Sequence, residues 1–215
     1  MFLSRVTLDL ARLTPAMWQK WQAAQPYASH QWLWQLFAQQ EERKFLFRHE
    51  STPQGACFYL LSGVAPVAEH NLFSIESKPF SPQLTQGMTL TFALRANPVV
   101  TRNGKRSDVL MDAKYQAKRQ GIDPCEYGAW QITAAQNWLK NQGERGGFAI
   151  QSLEVVSNEQ HRIVRREGEH PIIFTSVDYA GSLTVTDATR FMHTLGNGLG
   201  KSKALGCGLM LIRRG

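Results

Sequence analysis

His30 is the residue whose type and position best suit proton-transfer chemistry. It follows Ser29, where the pattern predicts the start of a helix, and the positive end of a helix dipole disfavours the imidazolium form. A histidine whose pKa lies near neutral pH can both accept and donate a proton there. Tyr27 stands three residues earlier, on the predicted loop leading into the helix, so both side chains are expected to face one cleft. The alternative is structural: a polar cap and a packing tyrosine.

The glycine-rich segment 196–208 is the second candidate, with five glycines beside Lys201 and Lys203. Glycines permit positive φ and let the backbone approach a phosphate chain, while lysines supply cations. Gly200-Lys201-Ser202 matches the end of the P-loop pattern, but Leu195 occupies the position of that pattern's first glycine. We therefore predict a phosphate-contacting loop that does not hydrolyse mononucleotides. A plain turn between a helix and a strand is the alternative.

Two further basic segments are candidate RNA contacts. One is a turn around Asn103-Gly104. The other is the arginine-rich segment 162–166, which is predicted to form a protruding hairpin because Gly168 and Pro171 follow it. Arginine holds phosphates and also donates paired hydrogen bonds to guanine edges. For each segment, a solvated charged turn is the alternative. The predicted RNA-binding residues are Arg102, Lys105, Arg106, Arg162, Arg165 and Arg166, together with Lys201 and Lys203.

Composition narrows the class of protein. The formal net charge of +7 is concentrated in residues 88–215, which hold seventeen Lys and Arg against eleven Asp and Glu. This balance favours nucleic acid as a partner. The three cysteines form no C-x-x-C pair and the histidines have no metal-ligand spacing, so we expect neither a disulfide framework, a metal nor a cofactor. No uninterrupted apolar run is as long as a membrane span or as the apolar segment of a signal peptide. We therefore expect a cytoplasmic protein without membrane contact.

The order of predicted elements indicates an α+β protein of two tandem ferredoxin-like (RRM-like) domains with a C-terminal glycine-rich loop. In the first half, strands are predicted at 3–10, 44–49, 56–61 and 71–77, with helices starting at Thr14-Pro15 and Ser29. Pro79, Pro82 and Gly87 mark a seam between units 1–80 and 88–215.

The second half repeats this order. Strands are predicted at 88–96, 148–156 and 172–177, with 179–185 as an extension, and the last follows the glycine loop. A helical stretch is predicted at 124–139, and Asp187 is predicted to start another helix. Neither half contains the aromatic motif with which RNA-recognition domains stack on bases, so RNA contacts are expected from loops and charges.

These residues suit metal-free RNA cleavage. A base takes the proton of the 2′-hydroxyl, the oxyanion attacks the adjacent phosphorus, and an acid protonates the leaving 5′-oxygen. One alternative is an RNA-hairpin binding subunit without cleavage, which would use the same basic surfaces. An RNA-modification enzyme is disfavoured because no cofactor motif is present.

Four segments together resemble one known family. They are Met1-Phe2-Leu3-Ser4-Arg5-Val6, Phe45-Leu46-Phe47-Arg48, Phe92-Ala93-Leu94-Arg95-Ala96-Asn97-Pro98 and Lys203-Ala204-Leu205-Gly206-Cys207-Gly208-Leu209. They resemble the CasE family, the CRISPR RNA-processing endoribonucleases of the type I-E Cascade system. The resemblance covers both halves in order.

The resemblance implies two ferredoxin-like domains that bind the hairpin of a CRISPR repeat and cleave on its 3′ side without metal. A 2′,3′-cyclic phosphate or its opened product would remain, and the protein would stay bound among other Cascade subunits. The catalytic histidine of the family corresponds to His30, and the tyrosine found in some members corresponds to Tyr27. The arginines with which the family contacts the groove of the RNA hairpin fall on the segment that contains Arg162. One departure is that no lysine or arginine follows His30 until Arg43. A cation for the transition state would then come from Lys201 or Lys203.

Overall fold

The structure is a computed structural model that describes residues 1–23, 27–38, 40, 42, 45–52, 55–102, 104–164 and 170–215. Within these ranges the chain forms two four-stranded antiparallel sheets and a separate two-stranded hairpin. Arg165 and Arg166, two of the predicted RNA-binding residues, lie outside the described residues.

The first half forms one sheet with helices packed on one face. Its strands are β1 (Phe2–Leu8), β2 (Phe45–Thr52), β3 (Gly55–Ser62) and β4 (Phe73–Pro79). Its helices are α1 (Pro15–Ala23) and α2 (Tyr27–Trp34), and a short 3-10 turn (Gln35–Phe37) follows the second. The sheet order is β2-β3-β1-β4. As predicted, the connection from β3 to β4 contains no helix among the described residues.

Alternation along β2 decides which side chains meet the helices. Phe45 and Phe47 belong to the core cluster that contains Leu33 of α2. Leu46 lies on the opposite face and packs against Leu209 of the second half. This period of two is what a strand covered on both faces requires. The first half therefore carries a helix on one side of β2 and contacts the second half on the other.

The predicted strand ends in the first half differ from the observed ones by one to three residues, and two wrong boundaries have a bearing on the structure around the helices. β1 ends at Leu8 instead of Leu10, because the Asp9 carboxylate accepts a hydrogen bond from the Ala11 N–H and starts a 3-10 turn. α2 begins at Tyr27 and not at Ser29, so Tyr27 lies on the helix and not on a loop before it. The predicted start of α1 is confirmed, since Thr14 Oγ1 accepts the Met17 N–H at 3.2 Å.

The second half repeats the sheet with inserted elements. Its strands are β5 (Thr89–Ala96), β6 (Val99–Arg102), β7 (Lys105–Asp108), β8 (Phe148–Ile163), β9 (Ile172–Val185) and β10 (Met210–Arg214). Its helices are α3 (Val109–Arg119), α4 (Tyr127–Gly146) and α5 (Ala188–Asn197). The sheet order is β10-β5-β9-β8, and β6 pairs with β7 alone. Counted within each half with β6 and β7 left out, both sheets have the strand order 4-1-3-2 of a ferredoxin-like fold.

The structure of the segment between β5 and α4 differs from the prediction. The sequence predicted a basic segment with a turn around Asn103-Gly104 but no strands or helix there, whereas the chain forms the β6–β7 hairpin and α3. Asp108 caps α3 by accepting the N–H groups of Leu110 and Met111. Val109, Ala113 and Ala117 are buried at a helical spacing of four. Lysines and arginines on the exposed face of α3 conceal this apolar stripe in the sequence.

Each half has its own apolar cluster, and smaller clusters join the halves. Leu46 and Leu61 of the first half pack against Leu209 of the second. The seam that defines units 1–80 and 88–215 stays a prediction. Within the described ranges, no helix combines the length and apolar character needed to cross a membrane.

Candidate active site

Four residues of α2 line one wall of a cleft of about 890 Å³. They are Tyr27, His30, Gln31 and Trp34, at positions i, i+3, i+4 and i+7 of the helix, which share one face. The cleft therefore brings Tyr27 and His30 together as predicted, although the reason is the helix face and not a loop. His30 stays within the first turn, where the helix dipole acts.

Aromatic rings position the imidazole of His30. Its ring centroid lies 5.9 Å from that of Phe45 and 6.4 Å from that of Phe47, and both rings are stacked with it. Trp34 meets it edge-on at 6.0 Å. Contacts on two sides restrict the rotamers that the side chain can adopt. The imidazole is thus held on α2 by the side chains of β2 that face this helix, with part of its surface open to the cleft.

Tyr27 connects α2 to the second half. Its hydroxyl oxygen accepts a hydrogen bond from Gln31 Nε2 at 3.2 Å. Its ring packs against a small apolar cluster that contains Ile163, Phe174 and Cys207. The phenol is therefore half-buried in the junction of the halves, with its polar end near the cleft.

The glycine-rich segment forms the opposite wall, from Gly200 to Leu205. Gly200 has φ +78°, and a Cβ there would lie 2.7 Å from the backbone oxygen of Asn97. Only glycine fits this close approach without strain. The glycine-rich loop thus forms a wall of the same cleft that His30 lines, while its contact with phosphate stays a prediction.

Asn97 anchors this loop. Its backbone oxygen accepts the Lys201 N–H at 3.1 Å, and its side-chain Nδ2 donates to Ser202 Oγ at 2.7 Å. Ser202 has a left-handed backbone with φ +52°, which is uncommon for a non-glycine residue. Asn97 is only 5 % exposed. Sequence reasoning gave it no role of its own, although it lies in one of the segments that carried the family resemblance.

Lys201 and Lys203 both line the cleft but are held differently. Lys203 Nζ donates to the backbone oxygen of Asn197 at 2.6 Å. Lys201 is exposed, and no ion pair involving it occurs within the described ranges. The Lys201 ammonium is consequently the more available of the two for an anionic ligand.

A network of charged groups fixes the halves relative to each other. Arg95 binds both oxygens of Asp178, at 3.0 and 2.9 Å, and its Nη1 donates to the backbone oxygen of His49 at 3.0 Å. Arg48 Nη2 lies 3.6 Å from Asp178 Oδ1 and also pairs with Glu50. Bidentate pairs of this kind are geometrically specific. Because Arg48, Arg95 and Asp178 are far apart in the chain, no sequence pattern other than their charge indicates this network.

The four other predicted RNA-binding residues within the described ranges lie on two hairpins outside the cleft. Arg162 is exposed near the end of β8, which pairs with β9 along a long hairpin. Lys105 and Arg106 are exposed on β7. Arg102 is also exposed, but its Nε bonds to Asp112 Oδ2 at 2.8 Å. No group of three or more potential metal ligands is present in the described part of the chain.

Known proteins are similar to this chain over most of its length. The family model described as CRISPR associated protein matches residues 1–214. The chain is 33 % identical to the CRISPR system Cascade subunit CasE of Escherichia coli over 192 residues, which cover 86 % of this chain and 90 % of that protein. It is 31 % identical to the CRISPR-associated endoribonuclease Cse3 of Thermus thermophilus over 149 residues, 63 % of this chain and 60 % of that one.

A solved structure matches the whole fold. It is Thermus thermophilus Cse3 bound to an RNA representing a pre-cleavage complex, with a TM-score of 0.71 and 25 % identity. The match covers 99 % of this chain and 98 % of that one. With the match of the family model, these relationships show that the chain belongs to the CRISPR associated protein family.

Proposed function

We propose that this protein is an endoribonuclease that binds the hairpin of a CRISPR repeat and cleaves precursor CRISPR RNA on its 3′ side. The observation that carries the proposal is the cleft in which Tyr27 and His30 face Lys201 and Lys203. A proton-transfer group, a phenol and ammonium groups are the components that metal-free phosphodiester cleavage needs. The relatives named as CasE and Cse3 support the choice of substrate.

In the proposed reaction the 2′-hydroxyl of the nucleotide before the cut is the nucleophile. Its proton leaves, its oxygen bonds to phosphorus, and the bond from phosphorus to the 5′-oxygen breaks. The 5′-oxygen gains a proton, so the products are a 2′,3′-cyclic phosphate and a 5′-hydroxyl. Each assisted proton transfer contributes roughly 10² to 10⁴ in rate.

His30 is the group we assign to proton transfer, because aromatic packing fixes its ring while it still lines the cleft. The Tyr27 hydroxyl lies on the same helix face, where it orients the substrate or donates a hydrogen bond. Lys201 supplies the cation that stabilises the extra negative charge on phosphorus.

The RNA hairpin would be bound by the basic residues of the β8–β9 hairpin. Arg162 lies near the end of β8, and Ile172 at the paired start of β9 lines the cleft. A stem bound along the β8–β9 hairpin would therefore have its base at the cleft. Arg165 and Arg166 extend this basic segment in the sequence. We further propose that Arg102, Lys105 and Arg106 add phosphate contacts and that the product stays bound within a cytoplasmic Cascade assembly.

The test is cleavage of a repeat hairpin by the purified protein in EDTA. We expect cleavage to continue, and a 2′-deoxy substitution at the nucleotide before the cut to abolish it. Cleavage of the deoxy substrate would mean that water attacks phosphorus, which contradicts the mechanism. Binding of the all-ribose hairpin without cleavage would instead indicate a non-catalytic RNA-binding subunit.

A further inference from the structure

A second cavity, of about 990 Å³, lies between α3 and α4, and the chemistry proposed above does not use it. Trp130 and Trp138 contribute aromatic surface to it. Amide side chains add hydrogen-bond donors and acceptors, namely those of Gln116, Asn137 and Asn141. Aromatic faces on which bases stack, combined with amides that pair with base edges, are typical of sites for single-stranded nucleic acid. We call this cavity the α3–α4 groove.

The α3–α4 groove adjoins the active-site cleft at Gly200. Gly200 lines the cleft and Trp138 lines the groove. A Cβ on Gly200 would lie 3.3 Å from Trp138 Cη2. The loop backbone at this glycine therefore rests on the tryptophan, so the cleft and the groove lie next to each other at this point.

The charges around the groove favour RNA over an apolar protein segment. Residues 99–146, which contain both walls of the groove, hold eight Lys and Arg against five Asp and Glu, and of these cations Arg102 lines the groove itself. Of the two acidic side chains that line the groove, Asp112 is paired with Arg102 at 2.8 Å, and Glu126 is exposed, where it can accept hydrogen bonds from base amino groups. On the outer face of α3 the Arg119 guanidinium lies 5.9 Å from the ring centre of the exposed Tyr115.

We propose that the α3–α4 groove binds the single-stranded RNA that continues 3′ of the cleaved bond. The inference rests on the proposed function, which places the stem along the β8–β9 hairpin. That hairpin meets the cleft at Ile172, whereas the groove meets it at Gly200. A strand that leaves the base of the stem and passes the cleft thus exits on the groove side. There its bases contact Trp130 and the neighbouring amides.

The test compares two RNAs that carry a 2′-deoxy nucleotide before the cut, so that binding is measured without cleavage. One ends directly after the cut position, and the other continues for about ten single-stranded nucleotides, a length within the usual site size for one binding fold. We expect the extension to lower the Kd of the wild-type protein about tenfold or more.

Two variants assign that gain to the groove. Trp130→Ala removes a stacking surface, and Asn137→Asp places a negative charge on an exposed groove residue without changing its size. Both should remove most of the gain from the extension while leaving the Kd of the short RNA unchanged. Gln136→Glu adds the same charge to α4 outside the groove and should keep the gain. Asn137→Asp keeps the proposal testable if Trp130→Ala fails to fold.

Equal wild-type Kd values for the two RNAs would overturn the proposal, and so would an extension gain that survives both groove variants. The second result would indicate that the groove binds a protein partner and not RNA. Because the measurement is binding, it decides the groove separately from the proposed function, which fails only if an all-ribose hairpin is not cleaved.

Discussion

Lys201 and Lys203 lie two residues apart in the same loop, yet their ammonium groups are placed differently. The Lys203 ammonium donates to the carbonyl of Asn197, whereas Lys201 is exposed at the cleft. A backbone carbonyl and a bound phosphate would compete for the Lys203 ammonium. The structure thus favours Lys201 over Lys203 as the cation that meets the substrate, a choice the sequence left open.

Lys201→Ala should lower the cleavage rate at saturating RNA roughly 10- to 100-fold, because a cation facing developing charge is lost. It should also flatten the slope of log affinity against log salt by about one charge, somewhat less for single-stranded contacts. Lys203→Met, which keeps the apolar stem, should change both quantities less. A salt titration of binding and single-turnover rates measures them. A larger effect from Lys203→Met would contradict this assignment.

At the scale of elements, the loop that carries Lys201 depends on a backbone approach that only glycine allows. Gly200→Ala would place a methyl group 2.7 Å from the Asn97 oxygen, at a residue with φ +78°. The loop must then move away from β5, and its lysines move with it. We expect cleavage to fall at least tenfold, by analogy with the loss that follows small displacements of positioned groups.

Gly87→Ala is the matched control. Gly87 has φ +83°, but a Cβ there would meet nothing within 4 Å. Both variants lose about 1 kcal/mol or more of stability from the left-handed backbone. Only Gly200→Ala should lose cleavage once melting temperatures show both proteins folded. Normal cleavage by Gly200→Ala would mean that the loop position is irrelevant to the reaction.

The elements that the sequence predicted well are those with a clear apolar run or cap. Two short apolar runs predicted β2 and β3, and Asp187 predicted the start of α5, where its carboxylate accepts the Arg190 N–H. Boundaries failed where a local hydrogen bond decided them, as at Asp9. α3 was missed because its buried stripe alternates with lysines and arginines.

The site was partly predictable for a related reason. Tyr27 and His30 are close in the chain, so helical spacing alone places them together. The anchor at Asn97 and the pair between Arg95 and Asp178 join residues from different strands or loops. Such contacts exist only after the sheets have paired, and residue type alone does not reveal them.

At the scale of the whole molecule, a half-buried histidine links stability to pH. His49 packs between Trp21, at 5.9 Å, and Phe58, at 5.0 Å, in the first core cluster. Burial, followed by the charge of Arg95, holds the pKa of His49 below its ordinary value of 6.5. The folded protein thus keeps this imidazole neutral while the unfolded chain protonates it at 6.5. Its stabilising effect is complete above pH 6.5 and declines as the pH falls from 6.5 through the folded pKa.

We therefore expect the melting temperature to fall as the pH is lowered from about 7.5 to about 5.5. His49→Phe fits the same aromatic surroundings and cannot protonate, so its melting temperature should fall less over that range. His193→Phe, at an exposed residue, should behave as the wild type. Burial also lowers the pKa values of His70 and His161, so part of the decline should remain. Parallel curves for His49→Phe and wild type would contradict this prediction.

The most direct test of the central claim is His30→Ala, measured as single-turnover cleavage beside a binding isotherm for the same repeat hairpin. If His30 moves protons, cleavage should fall roughly 10² to 10⁴-fold while the Kd changes little, because the imidazole contributes to the reaction and little to affinity. His193→Ala, at an exposed histidine outside the cleft, should cleave as the wild type does. Undiminished cleavage by His30→Ala, or a loss of binding as large as the loss of rate, would contradict the account.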